Sequence, residues 1–295
     1  MSGKTINSAI LLLVIGNAMA IVSDVFIKLM EPQAPVFQFA FLRSLLTATL
    51  LAPLLRSRDY RRLFEGIAVH TVRAHVLLVG LVCMIVALTS LPLATANAVF
   101  YAAPVILMVL SVVLLGERLS ALSILAVISG FAGVLVILRP TALGLPALAA
   151  LGTAVCLAAA ALMVRRLPAR QSTLHKLFLN SFLVLPASLA LAIWEGAPWR
   201  WDILAIAAGS AVFILGYNAS VLMAYRHVDA NQVTSAEYTG LIWAIAVGWV
   251  AFLEVPDLWF LTGSLMIVVP LVLIGLNQHR KRRLMYDTPL TETGS

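Results

Sequence analysis

Runs of about twenty mostly apolar residues follow one another along this chain with only short polar breaks. A backbone in lipid must satisfy its own N–H and C=O groups, so a spanning run is either a helix or a strand of a closed barrel. Crossing a hydrocarbon core of ~30 Å takes about 20 apolar residues per helix. None of the runs alternates apolar with polar residues as a barrel strand does. The reading is an all-α integral membrane protein of ten transmembrane helices, at approximately 7–29, 36–55, 74–90, 94–115, 119–138, 144–165, 174–194, 202–225, 230–252 and 258–277. Composition agrees: 62% of residues are hydrophobic and 11% charged, against about 25% charged in a soluble domain. No stretch is long and polar enough for a second, soluble domain. The first run follows only Lys4 and ends at Asp24-Val-Phe-Ile-Lys28 without a small-residue cleavage site, so it reads as a retained helix rather than a signal peptide.

The stretch Leu91–Ser120 is a polar lead-in, a tyrosine, an apolar run and a closing Gly116-Glu117-Arg118, and Val228–Trp259 repeats that order. Glu117 and Glu254 are 137 positions apart, as are Tyr101 and Tyr238, and Lys28 and Arg165. One offset over three distant landmarks indicates a duplicated unit. Five helices per unit is an odd number, so the second unit is inserted upside down, the inverted repeat of secondary transporters. The expected units are 8–138 (helices 1–5) and 144–277 (helices 6–10), followed by a cytoplasmic tail, 278–295, whose end after Arg283 is polar and reads as disordered. Of the 20 Lys and Arg residues, 16 fall on the side of the two termini, three (Lys28, Arg139 and Arg200) on the other, and Arg43 lies within helix 2. The positive-inside rule then puts both termini in the cytoplasm. The net charge of +7 is therefore an orientation signal, and no nucleic-acid partner is implied.

Gly116-Glu117-Arg118-Leu119-Ser120 closing an apolar hairpin, Arg43 early in helix 2 and the two five-helix halves resemble the EamA family of the drug/metabolite transporter superfamily, over roughly residues 8–277. Ser23-Asp24-Val25-Phe26-Ile27-Lys28 and Val228-Asp229-Ala230 are similar to the branch containing S-adenosylmethionine uptake carriers. The resemblance implies a ten-helix inner-membrane carrier whose cavity is lined by helices 1–4 and 6–9, with helices 5 and 10 peripheral. Members of the superfamily export amino acids, opine-type metallophores or drugs, and some import riboflavin. The distribution of polar residues separately leaves helices 5 and 10 facing lipid, since they carry little beyond Ser123, Ser129, Thr262 and Ser264.

Helices 1, 2, 4, 8 and 9 hold Asn17, Asp24, Arg43, Asn97, Asn218 and Glu237. A charge at a helix centre costs about 2.5–3.5 kcal/mol on insertion scales, so such groups face the bundle interior, a partner or water. Asp24 sits roughly 7–8 Å below the outer end of helix 1, and Arg43 roughly 10 Å below the same face in helix 2, at 1.5 Å per residue. The two can meet, as a mutually neutralising pair or as a substrate site. Glu237 can attract a cation or take a proton, or hydrogen-bond to Tyr217 or Asn218. Tyr101 and Tyr238 can offer aromatic faces to a cation or anchor packing. Asn97 completes the candidate substrate site of Asp24, Arg43, Asn97, Tyr101, Asn218, Glu237 and Tyr238. Glu117 and Glu254 each precede a helix and read as structural partners of its dipole.

Cys83 and Cys156 lie inside apolar runs without metal or redox spacing, and the five histidines fall at or near loops with no metal spacing. There is no GxxxxGK[ST] loop for ATP, and HExxH and GxSxG are absent. Asp24 and Glu237 stand in different halves and at different depths, which does not suit an aspartyl protease dyad. The expectation is no enzyme, cofactor or metal. It is a secondary transporter moving a small polar, amino-acid-derived metabolite of amino-acid or opine/metallophore type by alternating access, export favoured. The alternatives are an uptake carrier for S-adenosylmethionine or riboflavin and, further off, a membrane-embedded transferase. Its partners are the cargo and the lipid bilayer. A coupling proton or counter-substrate, and monomer or homodimer, are left open.

Overall fold

The computed structural model describes residues 6–31, 33–55, 64–139, 144–168, 170–224, 236 and 238–287. These residues form α1 (Ile6–Lys28), α2 (Val36–Leu51), α3 (Ile67–Ser90), α4 (Leu93–Leu115), α5 (Ala121–Leu138), α6 (Leu145–Met163), α7 (Thr173–Trp194), α8 (Asp202–Ala224), α9 (Thr239–Phe252) and α10 (Leu258–Asp287). Nine are long and apolar enough to cross a membrane, and α9 is a shorter apolar helix among the described residues. The chain is thus a multi-pass, all-helical membrane protein, as its apolar runs require.

Two spans are broken, each for a reason visible in the sequence. α4 divides into Leu93–Phe100 and Ala103–Leu115, and α7 into Thr173–Phe182 and Leu185–Trp194. Pro104 and Pro186 open the second pieces; neither can donate an N–H to the carbonyl four residues back, so the ladder is interrupted there. Boundaries differ from expectation in three places. α3 begins at Ile67, behind Gly66 at φ 68, rather than at 74, which carries Arg73 off the loop and into the helix. α10 continues through Asp287 instead of stopping at 277, because Gln, Lys, Arg, Leu and Met are all good helix formers. The expected start of helix 9 at 230, with Asp229 and Glu237, lies outside the described residues, as do Lys4, the bases from Arg56 to Arg62, and Arg226.

Packing follows a two-fold pattern. The most extensive helix pairs are α1 with α8, α5 with α10 and α3 with α6. Advancing each helix by five places turns α1–α8 into α6–α3 and leaves α5–α10 unchanged. That is the set of pairs an axis relating two five-helix halves produces. The α1–α8 and α3–α6 crossings are close, and small residues permit it. A Cβ on Gly16 would lie 2.8 Å from Ser220 Cβ, and one on Gly80 2.8 Å from Cys156 Cβ. α5 and α10 approach to backbone contact, since a Cβ on Gly133 would stand 2.6 Å from the carbonyl oxygen of Gly263. The Ser129 hydroxyl donates to the Met266 carbonyl at 2.7 Å, between residues 137 apart. Ile128, Leu135, Leu261 and Leu265 on the outer faces of this pair are exposed for lipid.

At one end of the bundle, ion pairs tie the helix ends together. There the Arg200 guanidinium binds Glu31 and Asp202, and Arg139 pairs with Asp257 and lies 5.7 Å from the Trp259 ring centroid. Hydrogen bonds to Asp202 and Glu31 hold Arg200 well above its ordinary pKa range. The Glu195 carboxylate accepts from the backbone N–H groups of Phe37 and Gln38, both at 3.3 Å, capping the start of α2. This is the stitched end; the other, which carries most of the basic residues, is the basic end.

Candidate functional site

Between α2, α3, α6, α7 and α8 lies a cavity of about 320 Å³. Its polar lining comprises Arg43, Ser44 and Thr47 from α2, Arg73 from α3, Thr153 from α6, Asn180 and Ser181 from α7, and Asn218 from α8. Six pairs of lining residues are 137 positions apart: Arg43 and Asn180, Ser44 and Ser181, Thr47 and Val184, Leu77 and Ile214, Leu78 and Leu215, Leu81 and Asn218. A cavity lined by a residue and its repeat counterpart straddles the axis between the halves. For inverted repeats that axis lies in the membrane plane, and sites of this kind sit near mid-depth. The symmetry of position is broken by chemistry, with arginine opposite asparagine and leucine opposite asparagine.

Some lining groups already have partners. The Thr153 hydroxyl donates to the Ala149 carbonyl at 3.0 Å, the Asn218 amide nitrogen to that of Ile214 at 2.8 Å, and Arg73 Nε to that of Ala160 at 3.1 Å. Others do not. Asn180 Oδ1 is buried with no hydrogen-bond partner. The Arg43 guanidinium forms no direct ion pair or hydrogen bond among the described residues, although it is coupled electrostatically to Asp24. Asp24 is 8% exposed and has the Asn97 amide as hydrogen-bonding neighbour. No Asp or Glu lines the cavity among the described residues.

The expected site residues therefore divide. Arg43 and Asn218 line the cavity, with Asp24 and Asn97 behind Arg43. Tyr101 and Tyr238 lie elsewhere, in contact with one another with ring centroids 6.1 Å apart and planes tilted by 48°. Being repeat counterparts in mutual contact, they too mark the axis. Near them Asn17 Nδ2 donates to the Ala236 carbonyl at 3.0 Å and to Thr239 Oγ1 at 3.1 Å. Glu237 lies outside the described residues. Sequence reasoning passed over Arg73, counted as a loop base, and Asn180, whose signal was its place 137 residues after Arg43. Among the described residues, α1, α4 and α9 contribute nothing to the lining of this cavity.

Glu254 acts at a helix terminus, though not that of α10. Its Oε2 accepts from the Leu93 N–H at 2.7 Å, capping α4 from the other half. Oε1 binds Lys28 Nζ at 2.9 Å, and that ammonium also donates to the Leu91 carbonyl at 2.7 Å and lies 5.2 Å from the Phe252 ring centroid. The repeat counterparts, Arg165 and Glu117, are paired in the same way at the basic end. Side-chain exposure is 12% and 18% for Lys28 and Glu254, but 58% and 43% for Arg165 and Glu117. His70 and His175 lie near loops as expected, in the first turns of α3 and α7, and are buried there with rings 6.4 Å apart; His70 shares a hydrogen bond of 2.7 Å with Gln171. No group of three His, Cys, Asp or Glu residues able to hold a metal occurs among the described residues.

The model of the EamA-like transporter family matches this chain twice, at residues 7–139 and 144–276. The chain belongs to that family. The EamA relatives include the pseudopaline exporter of Pseudomonas aeruginosa, 27% identical over 92% of this chain and 96% of that protein. The S-adenosylmethionine uptake transporter of Rickettsia prowazekii is 24% identical over 88% of this chain and 89% of its own length. The riboflavin transporter of Vibrio cholerae is 24% identical over 94% and 96%. A solved crystal structure shares the fold with a TM-score of 0.60 at 20% identity, covering 93% of this chain and 98% of its own. The family and these relatives are transporters, not enzymes, so the EamA fold here serves a small-molecule cargo in a lipid bilayer.

Proposed function

We propose that this EamA protein is a secondary transporter of the bacterial inner membrane that exports a small polar, amino-acid-derived metabolite by alternating access. The observation that carries the reading is the cavity on the axis between the repeats, where rocking of one half against the other exposes the same site to either face in turn. The moving units are residues 8–138 and 144–277, with the chain from 278 onward outside them. The two counterpart ion pairs act as opposed latches. The Lys28–Glu254 pair, dry and capping α4, holds the stitched end closed, while the wetter Arg165–Glu117 pair leaves the basic end the easier one to open. With the basic end cytoplasmic, this conformation loads cargo from the cytoplasm. Export is favoured because the pseudopaline exporter is slightly more similar over full length than the uptake carriers.

The test is flux in proteoliposomes of determined orientation, with amino acids, an opine-type metallophore, S-adenosylmethionine and riboflavin. Movement of an amino acid or opine, unchanged, from the face carrying the basic end to the opposite face is expected. Movement of S-adenosylmethionine or riboflavin alone overturns the cargo class, and chemical alteration of a compound overturns the carrier reading.

A further inference from the structure

Among the described residues, the cavity holds more positive charge than its surroundings neutralise. Two guanidinium groups line it, from α2 and α3, and no carboxylate does among the described residues. Asp24 stands behind Arg43 and couples to it. Arg73 has no such neighbour: its Nε is bound to the Ala160 carbonyl, and its remaining N–H groups meet no acceptor and no ion-pair partner among the described residues. At 1.5 Å per residue, Arg73 is about 9 Å from the basic end of α3 and Arg43 about 12 Å from that end of α2. The two forks therefore reach the cavity at similar depth. Asn180, in the repeat position of Arg43, adds an amide with an unfilled hydrogen-bonding place, and amide oxygen and nitrogen are interchangeable in such a place by a flip of the side chain. Three polar groups thus converge on one space with bonds unmade.

Arg43 and Arg73 are both part-buried; a guanidinium partly withdrawn from water gains when an anion meets it, and its planar fork matches a carboxylate in bidentate fashion. Leu77, Leu78, Leu81 and Met84 supply the rest of the wall. At about 320 Å³, the space lies at the small end of the ~300–1,000 Å³ usual for ligand sites. We propose that Arg73, with Arg43 and the Asn180 amide, forms an anion subsite that binds a carboxylate of the cargo, whose remaining body is compact and partly apolar. This rests on the carrier reading and narrows it. A cargo whose charge is mainly cationic, such as a sulfonium, meets two guanidinium groups here and is disfavoured, as is a neutral flavin.

The experiment uses the purified full chain in detergent, with Tm as readout. The probes are malonate, succinate and glutarate, with inorganic phosphate as the rival anion and sodium chloride fixing ionic strength. A ligand of the folded state raises Tm in proportion to its saturation. The expected result is a saturable rise of a few degrees with at least one dicarboxylate. It should be abolished by Arg73→Gln and by Asn180→Asp, which puts a repelling carboxylate in the cavity, and kept by Arg118→Gln at an exposed turn. No saturable shift in the unaltered chain, a shift equal in both cavity variants, or a response to phosphate alone overturns the proposal. Flux separates it from the carrier reading. If Arg73→Gln moves an identified cargo at the unaltered rate, the subsite fails and the carrier stands. A saturable Tm shift with no flux of any compound leaves the subsite and removes the carrier.

Discussion

Asp24 and Arg43 are coupled but unlike in surroundings, and their neutralised variants are expected to differ. Asp24→Asn keeps a group able to hydrogen-bond Asn97, and Arg43 still faces the cavity, so stability should change by about 1 kcal/mol or less. Arg43→Gln leaves a carboxylate that is 8% exposed without its compensating cation. Stranding a buried charge costs about 3–5 kcal/mol for a tight pair; with Asn97 in place and no direct contact, about 1–3 kcal/mol is expected. Thermal melting checks the order, and the double variant should melt near Asp24→Asn. Equal losses for both single variants would contradict this asymmetry. In flux, a folded but inactive double variant is expected, because Arg43 lines the cavity. Another residue-scale prediction concerns Gly240, where an added Cβ would lie 1.9 Å from Tyr101 Oη. Gly240→Ala should force the tyrosine pair apart and lower Tm. Tyr101→Phe, which removes the clashing oxygen, should recover part of the loss when combined with it.

At the scale of elements, the two latches are equivalent in sequence position and unequal in burial. Glu254→Gln retains an oxygen for the Leu93 N–H but removes the charge opposite Lys28, whose ammonium keeps the Leu91 carbonyl. Hydrogen bonds to charged groups contribute about 1.5–3 kcal/mol, so opening of the stitched end should become roughly 10–100-fold more populated. Glu117→Gln breaks an exposed pair worth about 0–1 kcal/mol and should shift the balance by no more than a few fold. Labelling of a cysteine placed at Thr47, in a chain lacking Cys83 and Cys156, measures both from the stitched side. A larger effect from Glu117→Gln would refute the assignment of the dominant latch. The offset of 137 was readable in Lys28, Arg165, Glu117 and Glu254, but their pairing across halves was not, since a repeat gives equivalence without giving contact. The ten helices were legible because lipid forces apolar runs to be helical. Arg73 was not, because one arginine at the edge of an apolar run looks the same in a loop as in a helix facing water.

For the whole molecule, orientation depends on charge that is free to act, and the structure refines the simple count of bases. All three bases of the stitched end are engaged: Lys28 with Glu254, Arg139 with Asp257, Arg200 with Glu31 and Asp202. Holding them near acids in the folded state does not erase their influence during insertion, when the pairs have not formed. Their number, three against 16 at the other end, is what the positive-inside rule weighs, and acids count for little in it. The expectation is therefore that the basic end is cytoplasmic, and reporter fusions decide it. Fusions after Arg62 and Arg170 should report cytoplasm, and one after Gly196, in the turn between α7 and α8, should report the outside. The same fusions test the inverted repeat, because Arg62 and Gly196 follow α2 and its counterpart α7, which must run in opposite directions through the membrane if the halves are related by an axis in its plane. A cytoplasmic signal after Gly196 would make α2 and α7 parallel and remove the inversion on which alternating access between the halves depends.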